Sequence, residues 1–319
     1  MADVICGIDI SSRTLDVCVG DDKTCKQFAN TASGIELLAE FCLQRQVDLV
    51  AMEATGGYEQ KALHGLSAKG FPVAVLNPRS VRQFAQSMGR LEKTDAIDAS
   101  MIAQYASVRK SQPMLVAPRA QQQLRAQVTR LRQLTSLRTA QRNQARLIDD
   151  PVIQRSFTEL LKLIETQIAQ LETGIAALIS ADPLWSQLDP VLRTIKGVAD
   201  RTVARLFAEL PELGTLPNKT IGKLAGLAPL ARDSGQHKGH RHVRGGRAAV
   251  REILFIVGSV VARYEPDFIE FQDRLRKAGK PAKVVRIAVA HKLLTRLNAK
   301  ARDLRTQEDE KRKQALAAA

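Results

Sequence analysis

Over the first third of the chain, the spacing of apolar and polar positions changes repeatedly between strand-like and helical patterns. Short apolar runs bounded by turn residues predict strands at 3–10, 14–20, 25–30, 48–54 and 72–76. Helical spacing after and between them predicts helices at about 34–46, 58–69 and 79–88. Asn77-Pro78 separates the last strand from the helix that follows. The pattern therefore predicts an α/β unit.

Beyond Pro113 and Pro118 the apolar positions follow a helical period. Long helices are predicted at about 119–148 and 153–180, separated by Asp149-Asp150-Pro151. Apolar side chains recur at 4-3-4-3 spacing in the second helix, at Ile164, Ile168, Leu171, Ile175 and Leu178. The first helix has a weaker repeat, at Leu124, Val128, Leu131 and Leu134. This heptad pattern predicts an antiparallel coiled-coil hairpin or a dimer seam, and packing within one domain explains it equally well.

The order of the elements divides the chain into three predicted domains. Residues 1–112 form the α/β domain, 113–182 a basic coiled-coil segment and 183–319 a helical domain. In the helical domain, Asp182-Pro183 and Asp189-Pro190 each predict a helix N-terminus, because Asp caps a helix and Pro suits its first position. Three strands followed by alternating helices and strands resemble the RNase H-like fold, a mixed sheet flanked by helices, which we expect for residues 1–112.

The charge of the chain narrows the class of its partner. It carries 48 Lys and Arg residues against 33 Asp and Glu residues, a net charge of +15, which favours a polyanion. Between residues 119 and 148 the arginines meet no acidic residue, and arginine favours bidentate contacts with phosphate. We therefore predict that arginines of this stretch bind nucleic acid, in particular Arg125, Arg130, Arg132, Arg138 and Arg142.

The cellular location and the state of the cysteines are predicted from what the sequence lacks. No apolar run is long enough to cross a bilayer and the N-terminal residues lack the basic segment of a signal peptide, so we expect a cytoplasmic protein without a membrane partner. Cys6, Cys18, Cys25 and Cys42 show no Cys-x-x-Cys spacing. We interpret them as small buried side chains rather than as disulfides or zinc ligands.

Four acidic residues stand where the predicted elements would bring them together. Asp9 lies inside the first strand, and Glu53 is near the end of the strand at 48–54. Asp95 and Asp98 are three residues apart at a predicted helix start, so both project from one helical face. A charge in a central strand is costly unless it is paired or bound to a metal. Carboxylates from two strands and a helix suit two Mg²⁺ or Mn²⁺ ions and predict a nuclease-type site.

A glycine-rich basic loop at 227–247 contains Ser234. Its hydroxyl would suit attack on a phosphate, but on the residues alone such a serine is more often part of a turn. Phosphate contacts are predicted for the cations of the loop, Arg232, Lys238, Arg241 and Arg244. A second segment, 192–204, resembles a helix-hairpin-helix, whose turn amides around Gly197 would hold a nucleic-acid backbone without reading its sequence.

Together these motifs closely resemble the DEDD transposases of bacterial insertion sequences, of the IS-one-hundred-ten family. The resemblance rests on Gly7–Ser11, Glu53–Tyr58, Lys93–Ala99, the hairpin at 195–204 and Asp233–Gly235, in this order along the chain. It implies a RuvC-like N-terminal domain, a coiled-coil middle and a C-terminal transposase domain. It also implies metal roles for the four acids and a nucleophilic role for Ser234.

The resemblance further implies partners for the protein. Such enzymes move DNA by site-specific recombination guided by a bridge RNA, and they assemble as homodimers or homotetramers whose subunits can share a site. We expect these properties here, in a bacterial protein that joins the nucleoid when bound to DNA. Two other classes stay open: a Holliday-junction resolvase using metal-activated water and a non-enzymatic nucleic-acid-binding protein. Gly7–Ser11 also resembles the first phosphate loop of an actin-like ATPase or sugar kinase, but that fold needs a second half with further glycine-rich loops, which the sequence after residue 110 does not show.

Overall fold

The structure is a computed structural model, which describes residues 3–20, 24–89, 95–231, 233–234, 237–239 and 241–317. Of the predicted site residues, Asp95, Ser234 and Lys238 are described in their backbone only, and Arg232 lies outside the described residues. The chain forms two compact units, Met1–Ala117 and Pro118–Ala319. The boundary between the two units lies within the segment that contains Pro113 and Pro118.

A mixed five-stranded sheet forms the centre of the first unit. Its strands are β1 (Ile5–Ile10), β2 (Thr14–Val19), β3 (Thr24–Ala29), β4 (Leu49–Glu53) and β5 (Val73–Leu76), in the order β3-β2-β1-β4-β5. Strand β2 is antiparallel to β1 and β3, whereas β1, β4 and β5 run parallel. This order and these directions define an RNase H-like sheet. The fold predicted for the first domain is therefore confirmed, with each strand within a residue or two of its predicted bounds.

Helices pack on both faces of this sheet. In the described part of the unit they are α1 (Ala32–Gln44), α2 (Glu59–Ala68), α3 (Pro78–Ser87) and α4 (Asp95–Arg109). Because the side chains of a strand alternate between the two faces, β1 contributes to two cores. Ile8 packs with Leu38 of α1 and Leu63 of α2, whereas Ile5 packs with Ile102 of α4. Asp9 is four residues after Ile5 in β1 and therefore lies on the α4 side of the sheet.

The second unit begins with a long antiparallel helical hairpin. Helices α5 (Arg119–Ala145) and α6 (Pro151–Ala181) pack along each other, and Arg142 pairs with Glu165 at 2.5 Å across the hairpin near its connection. The apolar residues of the heptad pattern are buried or partly buried in the core of this unit. The hairpin interpretation is thus confirmed, and the seam is filled from within the unit.

Six further helices and two small antiparallel ladders follow in the described part of the second unit. The helices are α7 (Pro183–Arg193), α8 (Asp200–Glu209), α9 (Asn218–Leu224), α10 (Ala248–Tyr264), α11 (Pro266–Lys277) and α12 (Ala282–Ala317). The ladders are formed by β6 (Pro229–Leu230), β7 (Asp233–Ser234), β8 (His237–Lys238) and β9 (His242–Val243). Apolar side chains from the hairpin and from the later helices share one core. The predicted division at residue 182 stays a prediction. Across the described ranges, no helix combines the length and apolar character needed to cross a membrane.

One predicted helix start is wrong. Asp182 caps α7 as predicted, since its Oδ1 accepts hydrogen bonds from two amides of the first turn. Pro190, however, lies inside α7 rather than at the start of a new helix. Trp185, Leu188 and Leu192 are spaced for one helical face, and all three are buried. Burial of this face keeps α7 continuous through the proline.

The prediction for the cysteines is wrong in part. Cys6 and Cys42 are buried thiols, as predicted, but Cys18 and Cys25 form a disulfide between β2 and β3. These two residues are directly opposite each other in the antiparallel register, with their Cα atoms 4.2 Å apart. The register brings the sulfur atoms within bonding reach, and the spacing of cysteines in the sequence does not reveal it.

Candidate active site

Asp9 and Glu53 lie near the carboxyl ends of the parallel strands β1 and β4, which form the acidic edge of the sheet. Strands β1 and β4 are paired in parallel with Ile8 opposite Met52, so Asp9 and Glu53 occupy the next position of each strand. Both side chains are half-buried, and Asp9 Oδ1 accepts a hydrogen bond from the Ile10 amide at 2.9 Å. The carboxyl ends of parallel strands are a common place for functional side chains. The sheet thus brings two predicted metal ligands to neighbouring strand ends.

Gly7 lets α4 contact the backbone of β1. A Cβ atom on Gly7 would overlap the carbonyl oxygen of Ala99 and lie 2.6 Å from the amide nitrogen of Ala103. Residues two apart in a strand face the same side, so Asp9 faces the α4 side as Gly7 does. Asp98 precedes Ala99 in α4 and is half-buried. The missing side chain at Gly7 therefore brings the acid-bearing helix onto the strand that carries Asp9.

The chemistry of these acids fits hard divalent cations. Asp9, Glu53 and Asp98 offer only oxygen ligands, the type that Mg²⁺ and Mn²⁺ prefer. Asp95 begins α4 one turn before Asp98. Among the side chains that the structure describes, no three Asp, Glu, His or Cys residues lie close enough together to hold a metal ion. The metal site accordingly rests on the backbone arrangement and the donor chemistry, and it stays a prediction.

A buried carboxylate that sequence reasoning missed holds the loop after Glu53. Glu59 is 6% exposed, and its Oε2 accepts hydrogen bonds from the Thr55 amide (3.1 Å), the Thr55 hydroxyl (3.0 Å) and the Gly57 amide (2.8 Å). Burial acts to raise its pKa, but hydrogen bonds from Gln60, from the amides of Glu59 and Gly57 and from Thr55 lower the pKa to about 2. The position of Glu59 in the first turn of α2, directly after the glycine-containing loop, is the sequence signal that identifies it.

Asn30 ties this loop to the segment that follows β1. Its buried side-chain amide donates hydrogen bonds to the carbonyl oxygens of Ser11 (3.0 Å) and Tyr58 (3.2 Å). Ser11 follows Asp9 closely along the chain, and Tyr58 ends the loop that begins after Glu53. Asn30 and Glu59 together fix the two segments that leave the acidic edge of the sheet.

A further carboxylate, Asp16, lies on the same side of the sheet as Asp9. Asp16 in β2 is directly opposite Asp9 in the antiparallel register, and residues so paired face the same side. Its Oδ1 accepts a hydrogen bond from Nε2 of Gln27 at 2.8 Å. Sequence reasoning missed Asp16, because strand register decides which residues face each other. Asp9 and Asp16 thus both add negative charge to this side of the sheet.

The loop that contains Ser234 is closed at its base by backbone contacts. A Cβ atom on Gly246 would lie 2.6 Å from the Cα of Gly226, so only glycine permits this approach. Arg247, the last residue of the loop, makes a two-point ion pair with Glu212 at 2.5 and 2.6 Å. Beyond this base β6 pairs with β9, and β7, which contains Ser234, pairs with β8. The backbone of Ser234 thus lies in a two-residue ladder within a loop whose base is fixed.

The predicted phosphate-binding cations of this loop are only partly within the described residues. Arg241 and Arg244 are exposed, as phosphate contacts require. Arg232 lies outside the described residues, and Lys238 is described in its backbone only. The loop belongs to the second unit, whereas the four acids belong to the first. The two halves of the predicted chemistry therefore reside in different units.

The turn of the predicted helix-hairpin-helix joins α7 to α8. Gly197 has φ +98°, which favours glycine, and it packs against α10. The Lys196 amide in the same turn donates a hydrogen bond to Oε1 of Glu265 at 2.8 Å. Ala199 is the N-cap of α8 and makes no capping hydrogen bond. Gly197 therefore has a structural role in the turn, and its contact with nucleic acid stays a prediction.

The predicted nucleic-acid-binding arginines of α5 differ in their surroundings. Arg125, Arg130 and Arg132 are exposed, and Arg138 is half-buried. Arg142 is exposed as well, but its guanidinium pairs with Glu165 of α6. An exposed ion pair is weak, yet it offsets part of the charge that Arg142 would offer to a phosphate. The strongest candidates for phosphate contacts are therefore Arg125, Arg130 and Arg132.

Comparison with known families identifies the class of protein. A family model described as "Transposase", of the DEDD type from IS110 elements, matches residues 6–148. A second model, "Transposase IS116/IS110/IS902 family", matches residues 189–273, which include the hairpin turn and the Ser234 loop. An RNase H-like sheet with these two matches defines a transposase or DNA recombinase. The chain belongs to the IS116/IS110/IS902 family of transposases.

Individual proteins also resemble this chain. The pilin gene-inverting proteins of Moraxella lacunata and Moraxella bovis are each 28% identical over 313 residues, which cover 92% of this chain and 94% of the relative. Among solved structures, RuvC of Thermus thermophilus, alone and in complex with a Holliday junction substrate, is 18% identical, with TM-scores of 0.27 and 0.28. The match covers 35% of this chain and 99% of RuvC. The fold assignment rests on the sheet order and not on these low scores.

Proposed function

We propose that the protein is a metal-dependent, site-specific DNA recombinase of an insertion sequence. Asp9, Glu53, Asp95 and Asp98 would hold Mg²⁺ or Mn²⁺ at the edge of the sheet. Such ions would neutralise the charge of a reacting phosphodiester and orient it. The observation that carries the proposal is the contact at Gly7 between β1, which contains Asp9, and α4, whose first turn contains Asp95 and Asp98.

Ser234 is the nucleophile in this proposal. Its hydroxyl oxygen would bond to a phosphodiester phosphorus and lose its proton, while the bond to one sugar oxygen breaks and that oxygen gains a proton. The DNA end would remain on the protein as a serine–phosphate ester, so the reverse reaction could join it to another strand. The position of Ser234 in the short ladder of β7 and β8 supports this role, as does the name of the relatives, which refers to inversion of a gene.

Guidance by a bridge RNA and assembly into homodimers or homotetramers complete the proposal. Family membership supports both, and the exposed arginines of α5 supply a surface for a nucleic acid other than the strands being exchanged. We expect RNA that copurifies with the protein to consist mainly of one species encoded beside its gene. A random sample of cellular RNA would contradict guidance.

The metal role is tested with Asp9→Asn and Asp98→Asn in a strand-exchange assay. Each variant should lose roughly a hundredfold or more of its activity and should bind DNA as the wild type does. Glu36→Gln removes one charge from an exposed position of α1 and serves as the matched control. Strand exchange at wild-type rates in both Asp variants would exclude the assigned site, and a lack of exchange in the wild type would favour a non-enzymatic binding protein.

The serine role is tested by trapping the covalent intermediate. Denaturation of a stalled reaction should leave DNA attached to the wild-type protein and to Ser156→Ala, an exposed serine of α6 used as the control. Ser234→Ala should give no adduct and no strand exchange. Full cleavage by Ser234→Ala without an adduct would instead indicate a junction resolvase that uses activated water.

A further inference from the structure

An amide in the turn between α7 and α8 is occupied by an acidic side chain from a distant part of the sequence. The Lys196 amide donates its hydrogen bond to Oε1 of Glu265, 69 residues away along the chain. Glu265 stands at the N-cap of α11, where its side chain makes no capping hydrogen bond. The carboxylate of Glu265 therefore accepts a hydrogen bond from this turn and does not cap its own helix. The turn amide is thus already bound to an anionic group.

The surroundings of this carboxylate suit a phosphate. Lys196 and Gly197 are both exposed, and the positive φ of Gly197 turns the chain sharply at this point. The turn leads into the N-terminus of α8, which favours anions. Arg263, near the end of α10 and two residues before Glu265, is exposed as well. Backbone amides and cationic side chains are the groups that contact phosphate oxygens without reading bases.

We propose that this turn binds a backbone phosphate of a nucleic acid and that Glu265 occupies the site in the free protein. On binding, the phosphate would replace the carboxylate at the Lys196 amide, and Glu265 would turn to solvent. The proposal rests on the proposed handling of nucleic acid, but it requires no metal, no strand cleavage and no role for Ser234.

The exchange of one anion for another is favourable because the Glu265 contact is exposed. Water competes for both partners of an exposed hydrogen bond, so the contact contributes little to folding. A phosphate can accept the hydrogen bond of the Lys196 amide and interact with the Lys196 ammonium group at the same time. Removal of the carboxylate should therefore favour the complex with nucleic acid.

The test measures binding of a short duplex DNA and of a short RNA hairpin, both of unrelated sequence, to the full chain by fluorescence anisotropy. Glu265→Ala frees the amide and should tighten binding roughly three- to tenfold. Glu265→Gln keeps a neutral acceptor, leaves the fold intact and should tighten binding by less. The probe with the larger gain identifies whether DNA or RNA uses the turn.

The matched control is Glu270→Gln, which removes the same charge from an exposed position of α11. It should change the affinity less than either Glu265 variant. Equal tightening by Glu270→Gln would show that the affinity responds only to net charge. Unchanged affinity in both Glu265 variants would show that the contact of Glu265 with the Lys196 amide does not affect binding. Either result would overturn the proposal.

A second measurement follows the Lys196 amide itself. Its NMR signal in the isotope-labelled wild type should move when the preferred probe is added, and in Glu265→Ala it should start from a different position. An amide signal that stays in place at saturation would show Glu265 still bound and would overturn the proposal. Asp9→Asn should give the same shift as the wild type, so a failure of the recombinase proposal remains separate from a failure of this one.

Discussion

At the scale of single residues, the loop after Glu53 depends on the charge of Glu59. Its pKa falls from 4.5 to about 2 on folding. The unfolded chain therefore binds more protons than the folded chain between these values, and the stabilisation is present above about pH 4.5 and is lost as the pH falls toward 2. The buried carboxylate thus links acid stability to the shape of the acidic edge.

We predict that Glu59→Gln removes this part of the pH dependence and lowers the free energy of unfolding by roughly 1–3 kcal/mol near neutral pH. Urea unfolding at several pH values measures both effects. Glu40→Gln, at an exposed position of α1, is the control and should leave the pH dependence nearly unchanged. Equal curves for wild type and Glu59→Gln would show that the hydrogen bonds of Glu59 contribute nothing.

Gly7 is the residue on which the approach of α4 depends. In Gly7→Ala the added methyl group would collide with the backbone of α4, so we predict a loss of about 1–3 kcal/mol in stability and of most strand exchange. Gly174→Ala in α6 is the control, because there the new Cβ would meet only the flexible end of Gln127, at 3.0 Å. Thermal unfolding and strand exchange measure the two effects. A Gly7→Ala variant as active as the wild type would contradict the close contact of α4 with β1.

Sequence reasoning selected acids whose neighbours form regular elements and did not select those whose surroundings depend on tertiary contacts. Asp9 and Glu53 were predicted because each lies in or ends an apolar run. Asp16 and Glu59 were missed, since their importance comes from strand register and from hydrogen bonds to a loop. The local sequence pattern shows which residues lie in regular elements, but it does not show strand register or hydrogen bonds between distant segments.

At the scale of elements, the arginines of α5 form the surface most suited to phosphates. Arg125 and Arg132 are seven residues apart, so they share one helical face, and both are exposed. We predict that replacing both by Gln lowers the slope of log affinity against log salt by about 0.7–0.9 for each phosphate that the protein no longer neutralises. Arg142→Gln should have a smaller effect, because Glu165 already pairs with Arg142.

The control for this prediction replaces Lys61 and Lys69, two exposed lysines in and next to α2, by Gln. It makes the same change in net charge in the first unit. Binding measured by anisotropy over a range of salt concentrations should show a nearly unchanged slope for this control. An equal change in the two double variants would assign the effect to net charge and remove α5 from the interface.

Regular elements were predictable because their period is visible in the chain. The sheet, its helices and the α5–α6 hairpin follow from alternation and from heptad spacing. The short ladders around Ser234 were not predicted, since strands of two residues are too short to show a period. The wrong start at Pro190 has another cause, because burial of one face of α7 outweighs the local preference of proline.

At the scale of the whole molecule, the proposed chemistry is divided between two compact units. The acids lie in Met1–Ala117, and the serine loop and the arginine helix lie in Pro118–Ala319. Under the proposal an active site must combine the two, from one chain or from two chains of an oligomer. This division explains why the motifs of each unit indicate only one part of the proposed chemistry.

The central claim is that acids from β1, β4 and α4 bind divalent cations together. Binding of Mn²⁺ to the full chain, followed by the decrease of its free-ion signal in electron paramagnetic resonance, tests this claim without DNA or activity. Wild type and the Glu36→Gln control should bind Mn²⁺ alike, and Asp9→Asn and Asp98→Asn should each weaken binding roughly tenfold or more. Equal Mn²⁺ binding by all four proteins would contradict the account.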